Sequence, residues 1–253
     1  MRTNPGIHYL DASGPQDMRI YVIGDVHGRL DLLERLHDRI MSEIARDSPD
    51  DWRIVLVGDY CDRGPDVHGT IDFLIEKSSE PRIVPLLGNH DQGFLDFLDR
   101  PDLGVFALYG GEQTARSYGV ELETRTHDAM RKGHAELLAA VPGEHRAFLE
   151  KLALTAEFGD FFICHAGIRP GVPLAKQEPK DLLWIRSEFL DCPKLHDKVI
   201  VHGHTPCERP ELLPNRVNVD TGAVWSGVLT AFVVDDGEKR LLEEVGKPAP
   251  GYD

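Results

Sequence analysis

The chain has 253 residues, enough to bury a sizeable core within a single domain. Its 43 acidic residues outnumber 28 basic ones, and the resulting net charge of -15 argues against a nucleic-acid or anionic-membrane surface. Cys61, Cys164, Cys192 and Cys207 lie far apart with no CxxC pair, which excludes a zinc knuckle and a dense disulfide framework. The opening "MRTNPGIHYLDASGPQ" has no apolar core of signal-peptide length, and no later run approaches a membrane span. The expectation is a soluble, unexported, cytoplasmic protein with no nucleic-acid or membrane partner.

Residues 1–17 read as a loosely ordered start. "MRIYVIG" (18–24) then reads as a buried strand, and "DLLERLHDRIMSEIAR" (31–46) places Leu32, Leu33, Leu36, Ile40 and Ile44 on one helical face. A second strand, "RIVLVG" (53–58), leads through "GDYCDRG" to the helix "DVHGTIDFLIEK" (66–77). A third, "RIVPLLG" (82–88), leads to "DQGFLDFLDR" (91–100). Residues 101–152 turn helical with glycine punctuation, and Pro142 sits where a helix can begin. This segment is expected to cap the site.

Strands dominate again from "ALTAEFGDFFICHAG", through "KVIVHGH" and "RVNVDTG", to "GVLTAFVVDD". The charged "EPKD" and "DDGEKR" read as exposed faces and turns, and 246–253 as a loose tail. One domain, 18–245, is expected. Periodicity alone offers a plain parallel α/β sheet for its first half.

Each apolar strand ends in a cluster of Asp, His or Asn: "GDVHG" (24–28), "GDYCDRG" (58–64), "GNHD" (88–91), "CHAG" (164–167) and "VHGHT" (201–205). Ligands collect at strand ends in open α/β sheets, so these clusters can converge on one crevice. Carboxylate, imidazole and amide oxygen without thiolate suit manganese, iron or zinc. Asp25, His27, Asp59, Asn89, His165 and His204 are six candidate ligands, more than one tetrahedral ion uses, and they suggest two divalent ions. Such ions would attract a phosphate despite the acidic surface.

"GDVHG", "GDYCDRG", "GNHD", "HAG" and "GH", in that order, resemble the phosphoprotein phosphatase family of metallophosphoesterases. "GGEQTARSYG", "HAGIRP", "DLLWIRSEFL" and "VNVDTGAVWSGVLTAF" are similar to its bacterial serine/threonine phosphatase-like branch. The resemblance covers about residues 18 to 235. It implies an α/β (α+β) calcineurin-like fold, a two-sheet β-sandwich flanked by helices.

The resemblance also assigns roles. By the resemblance the ions are manganese, with iron or zinc as alternatives; the first falls to Asp25, His27 and Asp59, and the second to Asp59, Asn89, His165 and His204. His90 becomes the general acid, oriented by Asp62, while Arg63 and Arg186 clamp phosphoryl oxygens. The implied reaction is direct attack of a metal-bridging hydroxide on phosphorus. Cys61 reads as a packed small residue and not a nucleophile.

Several residues have a blander reading. Arg186 could pair with Glu188 or Asp181. His202, two residues before His204, reads as structural. His8, His37, His68, His127, His134, His145 and His196 lie outside the clusters and are expected to be solvated.

The leading expectation is a phosphomonoesterase acting on phosphoserine, phosphothreonine or phosphotyrosine in proteins or peptides. The alternative is hydrolysis of dinucleoside polyphosphates or another small phosphometabolite, with Arg116, Arg125, Arg131 and Lys132 as anchors. "GNHD" is shared with symmetrical dinucleoside tetraphosphatases, but "DVHG" and "DRG" replace their "GDIQG" and "ARG". A non-catalytic phosphate-binding protein is the third reading, disfavoured because no ligand or acid is missing.

Overall fold

The computed structural model describes residues 6–252. It opens with β1 (Met18–Ile23), α1 (Leu30–Asp47), β2 (Asp51–Leu56), α2 (Val67–Lys77), β3 (Ile83–Pro85) and α3 (Asn89–Asp99). β1, β2 and β3 pair in parallel, as βαβ crossovers require. The sheet is extended on its other side by antiparallel β9 (Val228–Asp235) and β10 (Glu238–Val245), giving the order β10-β9-β1-β2-β3. The parallel sheet expected from periodicity is therefore mixed.

Glu238, Lys239 and Arg240 of "DDGEKR", a stretch expected to be exposed face and turn, instead begin strand β10, "EKRLLEEV". It is an edge strand with mostly charged side chains, so it carries no apolar run for a sequence reading to detect.

A second sheet is built from β4 (Thr155–Phe158), β5 (Phe161–Cys164), β6 (Val199–His202), β7 (Glu211–Leu212) and β8 (Arg216–Asn218), in the order β4-β5-β6-β8-β7. Strand alternation explains why the two sheets stack. Ile20, Val22, Val55 and Val57 face Phe161, Ile163, Val199, Val201 and Val217 in one buried cluster. On the opposite side of the first sheet, Tyr21, Ile23, Ile54 and Leu56 pack on Leu32, Leu36 and Ile71 of the helices. Phe162, Cys164 and Ile200 cover the outer side of the second sheet with Leu182 of α8 (Pro179–Trp184) and Phe189 of α9 (Ser187–Leu190). The two-sheet sandwich flanked by helices is thus present.

The helical segment contains α4 (Val105–Leu108), α5 (Gly111–Ser117), α6 (His127–Ala140) and α7 (Gly143–Leu149). Phe106, Ala115, Met130, Leu137 and Leu149 share the core of the first sheet's helices. The segment therefore widens the helical layer, and touches the candidate site through Gly110 and Thr114. A hydrogen-bonded chain pins it: Tyr118 Oη to His145 Nδ1 (2.8 Å), then His145 Nε2 to Asp72 Oδ1 (2.8 Å). His145 is fully buried, and His37 and His196 are largely so, which corrects the expectation that they are solvated.

Both expected loose ends are also tied down within the described residues. Ile7, Tyr9 and Gly14 donate backbone hydrogen bonds to His196, Pro214 and Asp236, and Ala12 is buried; residues 1–5 of this expectation lie outside the described residues. In the tail, Gly246 bonds Gly227 and the buried Ala249 bonds Val224. Backbone pairing of this kind has no side-chain signature.

Candidate metal centre and active site

The clusters at the strand ends converge. The loop after β1 is stitched to the loop after β2 by Val26, His27 and Gly28 N–H groups, which donate to the carbonyls of Asp59, Asp59 and Tyr60. Gly203 N–H donates to the His165 carbonyl and so joins the two strand-end loops of the second sheet. Backbone strain concentrates here: His27, Asp59, Asp62, Arg63 and His204 all have positive φ. Non-glycine residues held in that region mark over-determined, often functional, positions. Gly58 also has a positive φ, of 112°, and must be glycine for a further reason, because a Cβ there would lie 2.5 Å from Gly88 N.

Two groups of ligand atoms form, sharing one carboxylate. His27, Asp59 and His90 cluster on one side, and Asp59, His165 and His204 on the other. His27 Nε2 lies 3.5 Å from Asp59 Oδ2, and His165 Nε2 lies 3.4 Å from Asp59 Oδ1. Asp59 therefore faces both groups with different oxygens. Asn89 Oδ1 sits 2.8 Å from His165 Nε2 and 2.7 Å from His204 Nδ1. Asp25 Oδ2 accepts the His204 N–H, while its Oδ1 is buried and without a hydrogen-bond partner. All six expected ligands are at least 94 % buried.

These contacts suit cations better than protons. His27 Nδ1 donates to the Cys61 carbonyl, and His165 Nδ1 to the Val57 carbonyl, so the Nε2 of each ring presents a lone pair to the cluster. The His165 lone pair then faces the Asn89 oxygen, one acceptor against another. Burial pushes the His27 imidazole well below its usual value, reinforced by Arg63, and holds His165 at about 3. Burial also lowers His204, with His165 adding to it.

The carboxylates shift the opposite way. Burial, then Asp220 and Asp59, raises Asp25; burial also raises Asp59. Neutral imidazoles and crowded carboxylates, with a buried carboxylate oxygen left unpartnered, make a donor set fit for divalent metal.

His90 borders this cluster at the start of α3, where the helix N-terminus favours negative charge. Its Nδ1 donates to Asp62 Oδ2 at 2.7 Å, and its backbone N–H donates to Asp59 Oδ1 at 2.9 Å. Arg63 spans both imidazoles, with its two terminal nitrogens 2.7 Å from His27 Nε2 and 2.8 Å from His90 Nε2. Arg186 does not pair with Asp181 or Glu188; Arg169 holds both of those. Arg186 instead donates to Thr205 Oγ1 and the His204 carbonyl, so it borders the cluster.

Three supporting residues escaped sequence reasoning. Asp91 accepts four backbone N–H groups, Asp59 and Gly88 on Oδ2, Tyr60 and Cys61 on Oδ1, at 2.8–3.1 Å. It fastens the Asp59 loop to the start of α3. Thr114 of α5 accepts the Asp62 N–H and donates to Asp62 Oδ1. Asp220 is buried beside Asp25, and burial holds it at about 6. The fourth place of "GNHD" was the available signal for Asp91; a lone threonine in a helix offered none.

Two residues behave as expected. Cys61 is buried, and burial pushes its thiol well above the ordinary value, so no thiolate nucleophile is available. His202 is buried edge-on against Phe189 and bonded to Gly203 and Arg216.

A sandwich of two mixed sheets, with a carboxylate shared by two groups of ligand atoms at the strand ends, is the frame of a metallophosphoesterase. The calcineurin-like phosphoesterase family model matches residues 18–226, and the chain belongs to that family. Among curated relatives, the bis(5'-nucleosyl)-tetraphosphatase PrpE [asymmetrical] of Anoxybacillus flavithermus is 29 % identical over 230 residues, covering 83 % of this chain and 88 % of the relative. The protein of the same name from Halalkalibacterium halodurans is 29 % identical over 263 residues, covering 92 % and 100 %. A solved structure provisionally assigned as a diadenosine tetraphosphatase superposes with a TM-score of 0.63 at 19 % identity, covering 89 % of this chain and 93 % of that one. The serine/threonine phosphatase branch expected from the motifs is not where these curated relatives lie.

Proposed function

We propose that this chain hydrolyses the phosphoanhydride chain of a dinucleoside polyphosphate, with the tetraphosphate as the preferred length. The observation that carries the reading is the set of relatives named for that activity, aligned over more than four-fifths of the chain. This replaces phosphoprotein hydrolysis as the leading expectation and promotes the alternative.

Asp25, His27 and Asp59 would hold one divalent ion, and Asp59, Asn89, His165 and His204 a second. When bound, such ions supply an acidified water and positive charge beside phosphorus. The rest falls to this chain's side chains. Arg63 and Arg186 border the cluster, and would grip phosphoryl oxygens with paired N–H donors. Arg63 would turn from the two imidazole lone pairs it now bonds toward the substrate.

His90, with Nδ1–H committed to Asp62, carries a lone pair on Nε2 that Arg63 now bonds. Released from Arg63 and protonated there as an imidazolium, it would pass that proton to the leaving oxygen and return to the neutral ring, against a burial that lowers its proton affinity. Asp62 stabilises the imidazolium, and Thr114 keeps that carboxylate in place. The product analysis is direct. Asymmetric cleavage of diadenosine tetraphosphate by metal-reconstituted protein gives ATP and AMP in equal amounts; accumulation of phosphate from phosphopeptides, with the dinucleotide untouched, would overturn the proposal.

A further inference from the structure

A cavity of about 480 Å³ lies beside the metal cluster, within the range of small-molecule sites. Gly93, Asp96 and Phe97 of α3 form one wall, Asp102 and Phe106 another, and Trp184 at the end of α8 a third. Trp184 is 39 % exposed, and its ring meets that of His204 edge-on at 6.2 Å. The groove therefore opens next to the second ligand group. Its floor is aromatic and fixed, with the buried Phe97 and Phe106 rings 4.7 Å apart.

α3 sets the distance. Asn89 contributes to the metal cluster, and Gly93, Asp96 and Phe97 follow at four, seven and eight residues, which places all of them on one helical face. Seven residues of helix extend about 10 Å. This is a span that a nucleoside joined to the scissile phosphate covers.

Charge narrows the occupant. The rim carries Asp96, Asp99 and Asp102; Arg100 bonds Asp102 and Arg146 bonds Asp99, so Asp96, which accepts from Gln92, is the rim carboxylate without an ion pair among the described residues. Such a groove repels a phosphate chain, leaving it to the metals and the two arginines. Its carboxylates accept hydrogen bonds from neutral donors such as ribose hydroxyls and exocyclic amines, and the exposed indole face offers a base a stacking surface.

We infer that the groove between α3 and Trp184 is a nucleoside subsite, in which one base stacks on Trp184 and its ribose meets the aspartate rim. The inference rests on the dinucleoside polyphosphate reading and makes Trp184 a specificity-determining residue.

The test compares wild type, Trp184→Ala, Trp184→Phe and Asp96→Asn, each reconstituted with manganese. Diadenosine tetraphosphate and p-nitrophenyl phosphate are the substrates. The expected result is about a tenfold fall in the ratio of kcat/KM for the dinucleotide to that for the aryl phosphate in Trp184→Ala, the size of one lost base–aromatic stack. Trp184→Phe restores most of it. Asp96→Asn lowers the same ratio less. An unchanged ratio overturns the inference while leaving the activity intact.

Binding is read separately by quenching of tryptophan fluorescence with AMP. Quenching lost in Trp184→Phe upholds the nucleoside subsite even if wild type fails to cleave the dinucleotide, in which case the functional reading alone falls. No quenching in wild type, with no change in the ratio, overturns the subsite.

Discussion

Replacing Asp91 by asparagine removes no bulk and replaces no expected metal ligand, yet it should disable the site. Four buried N–H groups converge on this carboxylate, two on each oxygen. An asparagine can accept two of them with its amide oxygen. Its NH2 group must confront the other two, donor against donor. Each unsatisfied buried donor costs about 1–3 kcal/mol, so the variant should lose about 2–6 kcal/mol of folding stability. That is a large part of the ~5–15 kcal/mol available to a domain.

The loop so loosened carries Asp59, whose carboxylate faces both ligand groups. Partners that orient metal ligands are worth about 10–100-fold in metal affinity. The assays are denaturant unfolding of the metal-free protein and calorimetric titration with manganese. Asp91→Glu, which keeps two acceptor oxygens, should recover much of both losses. An asparagine variant that unfolds and binds manganese like wild type would refute the argument that this carboxylate fastens the Asp59 loop.

Other consequences follow from neighbouring contacts. His90→Asn should lower kcat by about 10²–10⁴ and steepen the dependence of rate on leaving-group pKa across a series of aryl phosphates; an unchanged slope would remove His90 as the acid. Trp225, 5.2 Å from the Arg63 guanidinium, supports that arginine by a cation–π contact of about 0.5–1 kcal/mol. Trp225→Ala should therefore reduce kcat/KM about two- to fivefold on dinucleotide and aryl phosphate alike, in contrast to Trp184→Ala.

His202 gives a pH signature. Burial holds it at about 3, below the ~6.5 of an unfolded histidine, so between these values the unfolded chain binds the extra proton. Its contribution to stability is complete above pH 6.5 and is lost as pH falls toward 3. The stability of wild type relative to His202→Asn, measured by urea unfolding of metal-free protein, should then drop by about 1.4 kcal/mol per pH unit between 6 and 4. A flat difference would mean that the histidine is solvated.

The strand-end polar clusters were legible because polar side chains can converge on one crevice only where strands end and the backbone turns, which confines them to short motifs. Asp25, His27, Asp59, Asn89, His165 and His204 come together in the fold as their spacing suggested. Short apolar runs likewise announced β1, β2, β5 and β6, whose burial is nearly continuous along the strand. What stayed hidden depends on long-range contacts. β10 is charged and finds its strand identity only by pairing with β9.

His145 looks like a surface histidine until Tyr118 and Asp72 surround it. Asp91 and Thr114 act through backbone groups and a neighbouring carboxylate, and neither carries a local pattern. The Trp184 groove needs α3 and α8 to be adjacent, which no single stretch of sequence records. The motifs therefore declared phosphoester chemistry but not the group attached to the phosphate.

The central claim is that the leaving chain is a nucleotide and not a phosphorylated side chain. Initial rates should be compared for manganese-reconstituted protein on diadenosine tetraphosphate and on phosphoserine, phosphothreonine and phosphotyrosine peptides at equal concentration. The account predicts a kcat/KM at least tenfold higher for the dinucleotide. A peptide turned over more efficiently than the dinucleotide would contradict it.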